Sequence, residues 1–315
     1  MGPAIAFLIH VFVDGYYAWN GNHPASHESF VPGTGTTAER ANEFNLNLAA
    51  VELVRDPKPV GFHLSLVAGT GADVVHAAER EGFRHIYQAS VLYKPNDRLT
   101  LEGGIFPSHI GFEGFYSKDN WNYTRGWLGE FSPYYQTGVH AGYQFSKQWY
   151  GEVHVLNGWQ LIDDNDNGKA LGAKIAYSGN RLSASLNTFD GTDKGRMRHF
   201  GDLIATWKTT PKLSLGGSLD RGHQQQANWL GVGGYARYAF DDRRAVALRA
   251  ERFRDPDNGI SGAAQTLTET TLTYEYRPTP NLIFKLEGRR DRSTANVFDG
   301  SKNQTLVVAS AVATF

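Results

Sequence analysis

The sequence predicts an all-β chain closed into an antiparallel transmembrane barrel of about sixteen strands, with residues 1–315 forming one barrel domain. Three observations predict it. Apolar residues recur at every second position along the chain, and seven short turns alternate with eight longer, more polar connections. The alternation also has a polarity that suits a lipid-facing outside around a wet inside.

The first strand-like segment is Phe7 to Trp19. Met1 to His10 has no basic n-region, so the chain is expected to start as a mature or shortened form without a signal peptide. Leu99, Leu101, Gly103 and Ile105 then alternate with Thr100 and Glu102, the period of 2 of a strand. Thr137, Val139, Ala141, Tyr143 and Phe145 alternate with Gly138, His140, Gly142 and Gln144. Leu203, Ala205 and Trp207 alternate with Asp202, Thr206 and Lys208, and Phe284 and Leu286 with Lys285, Glu287 and Arg289. Capped helical spacing is nowhere sustained over three turns.

Turn chemistry pairs the strands. Tight connections rich in Pro, Asn, Asp or Gly fall at Asp56–Pro59, Pro95–Asp97, Ser146–Lys147, Ser178–Asn180, Thr210–Pro211, Asp241–Arg243 and Pro278–Pro280. Longer connections are expected near residues 20–42, 70–80, 108–131, 158–168, 190–196, 221–227, 255–263 and 292–302. This alternation puts both termini on the short-turn side, which is periplasmic in an outer-membrane barrel, with the long loops extracellular. The 315 residues allow about 20 per strand plus connection, enough for the roughly 9 to 11 that cross a bilayer when tilted.

Composition removes other classes. Thirty-one basic against 32 acidic residues leave no basic field, so no nucleic-acid partner is expected. The absence of cysteine excludes disulfides, thiolate zinc and iron–sulfur ligation. No apolar run approaches the roughly 20 residues of a membrane-spanning helix, whereas 35 glycines and 13% aromatics favour sheet. A soluble barrel of sixteen strands would be too wide for side chains to fill, so the apolar face is assigned to lipid and the charged face to the lumen. Tyr17, Trp19, Tyr93, Trp149, Trp207, Tyr238, Phe240, Tyr274 and Tyr276 fall near strand ends on the lipid-facing parity, as interfacial girdles do. Phe315 ends the chain on the parity of Val307, Ala309, Ala311 and Ala313.

The stretch His109–Glu113 through Asp119–Arg125, followed by Phe131–Val139, resembles the OmpL-like beta-barrel porin-2 family. Further similarities are Val155–Gln160 with Asp163–Asn165, Glu251–Phe253 leading into Asp255–Asp257, and Glu287–Ser293. The resemblance runs from Phe12 to Phe315, and one departure is Gly126, where members often carry serine. It implies a porin of the bacterial outer membrane passing small hydrophilic solutes and ions by diffusion, without naming a solute. The partners expected are outer-membrane lipid, small hydrophilic solutes and further copies of the chain in a homotrimer. The alternative is a closed or plugged barrel serving as an interaction or structural protein, such as an adhesin, sheath or complex subunit.

Chemistry-bearing motifs are sparse. Asp163–Gly168 matches the first half of a calcium loop, but the twelfth position is Lys174, where the bidentate glutamate should stand. His10, His23 and His27 share no fixed face for a metal, and no nucleophile stands beside a base at readable spacing. No enzyme, metal or cofactor is expected. The functional candidates are the charges on the inward parity: Arg84, Glu102, Arg237, Arg249, Glu251, Glu269, Lys285, Glu287 and Arg289. The full inward parity set, which adds Lys174, Arg181, Lys208, Asp14, Glu152, Asp202, Asp220, Glu275 and Asp291, comes to eight basic and ten acidic residues and nearly cancels. It predicts weak ion selectivity leaning to cations, while opposite charges on neighbouring strands such as Glu269, Lys285 and Glu287 could equally brace the wall. The third long connection is rich in Gly and aromatics, unusual for a loop that serves only solvation. By analogy with general porins it is expected to fold into the barrel, with Phe112, Phe115, Tyr116, Trp121 and Trp127 against the wall. Glu113, Lys118, Asp119 and Arg125 would then face the solute at the constriction.

Overall fold

Sixteen antiparallel strands close on themselves in a computed structural model that describes residues 7–164, 166–193 and 195–315. In chain order they are β1 (Leu8–Asn20), β2 (Phe44–Arg55), β3 (Val60–Ala68), β4 (Ile86–Tyr93), β5 (Leu99–Pro107), β6 (Tyr135–Gln144), β7 (Trp149–Leu156) and β8 (Ala170–Ser178). There follow β9 (Leu182–Asp193), β10 (Arg196–Lys208), β11 (Leu213–Gln224), β12 (Ala227–Ala239), β13 (Arg244–Asp255), β14 (Gln265–Thr279), β15 (Leu282–Ser293) and β16 (Asn303–Thr314). Each strand pairs with its neighbours in sequence. Closure is between β1 and β16, with Phe12 opposite Thr314 and Trp19 opposite Val307, so no edge is left unpaired.

All seven short connections between consecutive strands lie at one end of the barrel where turns are expected, the last displaced to residues 280–281 because β14 continues through Pro278 to Thr279. Four use one device, a side-chain oxygen that accepts from the backbone N–H groups two and three residues ahead: Asn96, Ser146, Thr210 and Asp241. Two of the eight long connections are not long. β9 and β10 run through the stretch expected as a loop at 190–196, leaving residues 194–195, and β11 and β12 leave only residues 225–226. The cause is that strands here rise past the membrane with polar residues facing inward. Arg198 lies 2.8 Å from Asp193 and 2.9 Å from Gln224 inside the rim, a composition indistinguishable from that of a loop. The strand predicted from Phe7 begins at Leu8, and Ala4–Ala6 of the apolar opening lie outside the described residues.

Parity is as predicted. Val139 and Leu286 are more than half exposed on the outer face, and Leu101, Leu203 and Phe284 are likewise exposed, while Asp14, Asp202, Arg249 and Glu287 point inward and are buried. Leucine and valine exposed on alternate positions around a whole barrel would be an aggregation surface in water, and lipid is the solvent that suits them. Replacing Ala205, outward on β10 between Ala184 and Gly217, by Arg should therefore cost about 2 to 4 kcal/mol of barrel stability in a bilayer. The same replacement at inward Thr206 should cost much less. Equal losses in denaturant unfolding would refute the assignment.

Candidate functional site

On β13, β14 and β15 the register sorts the inward residues into rows. Glu251, Glu269 and Asp291 share one row, Arg249, Thr271 and Arg289 the next, Ala247, Thr273 and Glu287 the third, and Ala245, Glu275 and Lys285 the fourth. Like charges facing one another across strands repel. The acidic row is stable because the basic row lies against it: Arg249 donates to Glu269 at 2.7 Å and Arg289 to Asp291 at 2.9 Å, all four side chains being out of solvent.

The β5–β6 connection, residues 108–134, folds onto these rows. Lys285 Nζ donates to the carbonyls of Ser117 (2.9 Å) and Asn120 (2.7 Å). Glu287 accepts from the backbone N–H groups of Tyr123 (2.6 Å) and Thr124 (3.1 Å). Arg249 donates to Glu113 (2.7 Å) and the Thr124 carbonyl, and Arg289 to the Arg125 carbonyl. Trp127 Nε1 donates to Asp291 at 3.0 Å, and the Leu128 N–H to Glu251 at 3.2 Å. The same loop reaches the other walls: the Gly111 N–H donates to Asp202 on β10 (2.6 Å), and the Ser117 and Tyr123 hydroxyls to Asp14 on β1 (2.6 and 2.8 Å). Tyr116 and Ser65 of β3 share a hydroxyl hydrogen bond at 2.6 Å. A loop bonded to β1, β3, β10 and β13–β15 crosses the lumen. Gly126, extended rather than left-handed, leaves room for the Glu251 carboxylate, since a Cβ there would lie 2.2 Å from both its oxygens and would make that side chain shift.

The structure divides the residues expected at the constriction. Lys118 and Asp119, paired at 2.7 Å, face open space with side chains 28% and 60% exposed. Glu113 and Arg125 do not face the solute: both are buried, a correction to the sequence reading. Glu113 joins Arg249 to the Gly126 N–H (2.7 Å). Arg125 donates to the Thr36 and Thr37 hydroxyls of the first loop and lies 4.5 Å from the Tyr134 ring centre. The reason is that a desolvated charge needs several partners at once, and these come from segments far apart in sequence. Arg84 is a second correction. It follows a 3-10 turn at Glu81–Phe83, is exposed, and precedes β4, so it is not on the inner wall.

The remaining predicted lumen residues all face inward. Glu102 bonds Ser90 (2.6 Å) and His140 (3.0 Å), and Arg237 reaches Glu275 at 2.9 Å with its side chain 30% exposed. Arg249, Glu251, Glu269, Lys285, Glu287 and Arg289 lie under the third loop, so protein rather than water meets them. Sequence reasoning missed the first loop's part. There Glu130 accepts from the Gly35 N–H (3.1 Å), from Thr36 and from the Tyr134 hydroxyl (3.1 Å). The run Thr34-Gly35-Thr36-Thr37 is the one visible signal, a cluster of small donors without periodicity.

Beyond the third loop, at the long-loop end, a cavity of about 650 Å³ is lined by Glu130, Phe131, Trp159, Arg196 and Arg198 among others, with Arg198 4.7 Å from the Trp159 ring centre. Burial, then the carboxylates of Glu28 and Glu130, push the Glu39 carboxyl up to about 8, so it is largely uncharged at neutral pH. Burial likewise pushes His76, stacked on Tyr135, down to about 4. Among the described residues no group of three or more His, Asp or Glu could hold a metal ion. Of the calcium-like run, Asp163 pairs with Arg80 (2.6 Å) and Asp164 with Lys169, while Asn165 lies outside the described residues.

Comparison with known proteins places this geometry. The fold is similar to that of Pseudomonas putida OprB (TM-score 0.71, 12% identity, 98% of this chain and 94% of that one). It is also similar to an anion-selective porin from Comamonas acidovorans (TM-score 0.65, 12% identity, 98% and 99%) and to the trimer form of OmpT from Vibrio cholerae (TM-score 0.65, 9% identity, 98% and 99%). No curated protein matches the chain in sequence. The sequence profile of a family described as "Putative beta-barrel porin-2, OmpL-like" matches residues 7–315. The chain belongs to that family, and it is a passive diffusion porin of the bacterial outer membrane.

Proposed function

We propose that small hydrophilic solutes and ions diffuse through this barrel past the third loop, which narrows the lumen. One observation supports this above the others: residues 108–134 are hydrogen-bonded to opposite walls of a sixteen-stranded barrel, which without such a loop would leave a wide aqueous channel. Lys118 and Asp119 present opposite charges to the open side, and Arg237 and Arg277 both lean on Glu275 at 2.9 and 3.0 Å. Near-cancellation supports weak ion selectivity. The long loops then face the exterior and the short turns the periplasm. The working assembly is a homotrimer in outer-membrane lipid, a reading supported by the trimer form of the similarly folded OmpT. Transport of this kind needs no catalytic step and no cofactor.

The purified barrel should conduct ions in a planar bilayer. Lys118→Glu should shift the reversal potential toward cations by placing negative charge at the narrow section. Reversal at buried Arg125 should impair folding instead. A barrel that inserts yet never conducts would support the second reading, a plugged barrel acting as an interaction or structural protein of the outer membrane. That reading is favoured by the complete burial of Arg125 and Trp127 where the third loop meets Thr36, Thr37 and Phe30 of the first.

A further inference from the structure

The outer face carries charge where lipid-facing parity calls for apolar residues. Toward the long-loop end, Arg221 of β11, Arg252 and Arg254 of β13, and Arg290 and Arg292 of β15 alternate with buried inward neighbours, and all five are exposed. Register brings them together. Thr268 is opposite both Arg252 and Arg292, and Leu230 is opposite both Arg221 and Arg254, so the members of each pair stand two strands, about 10 Å, apart. The ion-paired arginines of the described residues lie elsewhere, and no carboxylate pairs with any of these five.

Height along the barrel sets what they meet. Arg252 stands eight residues beyond Arg244, at the short-turn end of the same strand, which is about 27 Å along the strand and about 20 Å along the membrane normal at a 40° tilt. Exposed Leu219, Leu248, Leu272 and Leu286 occupy the band below. The belt therefore lies at the headgroup level of one leaflet, opposite the end where Tyr238, Tyr274 and Tyr276 face outward. Arg290 donates to the Thr305 hydroxyl, but a neutral hydroxyl leaves its charge, like those of the other four, without a counter-ion. Guanidiniums at that depth need an anion, and phosphate accepts their forked donors in bidentate geometry. In an outer-membrane porin the long-loop end meets the outer leaflet.

We propose that this face of β11–β15 binds the phosphorylated glycolipid of the outer leaflet through the two phosphates of its lipid A headgroup. A headgroup with a single phosphate engages one guanidinium pair, whereas a bisphosphorylated one answers both rows at once. The proposal concerns the outer wall and stands whether or not the lumen conducts.

The test titrates the detergent-purified barrel with bisphosphoryl lipid A, with its dephosphorylated form and with phosphatidylglycerol, and reads retained lipid by native mass spectrometry. Bisphosphoryl lipid A should bind most tightly, with affinity falling as salt rises. The variant R252Q/R290Q/R292Q should bind it roughly 100-fold more weakly, on the order of tenfold or less per charge removed, while R243Q/R244Q at the opposite end should bind as the parent does. The wild-type comparison of phosphorylated with dephosphorylated lipid needs no variant to fold. Equal binding of those two lipids, unchanged binding by the triple variant, or phosphatidylglycerol bound as tightly as lipid A would each overturn the assignment.

Discussion

Deleting residues 113–121 should raise single-channel conductance, on the order of twofold or more, because the narrowest section of a pore dominates its series resistance. This segment contains Ser117, which bonds Asp14 across the lumen, and the Lys118–Asp119 pair that faces open space. The deletion also removes Glu113 from Arg249, so folding must be checked by the change in gel mobility on boiling before conductance is compared. Unchanged conductance from a folded deletion variant would place the narrow section elsewhere and remove the third loop from the transport mechanism.

Arg249→Met should destabilise the barrel by about 3 to 5 kcal/mol, the cost of leaving buried carboxylates without their counter-charge. Arg249 is fully buried and joins Glu269 of β14 to Glu113 and the Thr124 carbonyl of the third loop. Adding Glu113→Gln and Glu269→Gln should recover much of the loss in denaturant unfolding, since neutral amides remove the stranded charge. If the triple variant is no more stable than Arg249→Met, the loss comes from packing and not from electrostatics. Conductance gives a second readout, because a loop freed from Arg249 should fluctuate between current levels.

Much of this molecule can be read residue by residue from the chain. The alternation around Leu203, Ala205 and Trp207 gives strand, face and solvent together, because a period of two is local and lipid enforces it along every crossing. The turns at Asn96 and Asp241 are equally legible, since the acceptor and its N–H donors lie within three residues. The failures share one cause. Residues 190–196 and 221–227 look like loops because strands above the membrane face water inside, and Arg84 looks inward because parity was carried past the true start of β4.

The sequence by itself determined the strand count, the closed antiparallel order, the outward set and the identity of the long third loop, all consequences of short-range periodicity and turn chemistry. Tertiary structure alone decided what the inward charges do. Only closure places Glu251, Glu269 and Asp291 in one row, sets Arg249 and Arg289 beneath it, and brings residues 113–128 of the third loop against them. Contacts such as Arg125 with Thr36 and Thr37 join segments about ninety residues apart, where no repeat links the partners and only the shape of the folded lumen selects them.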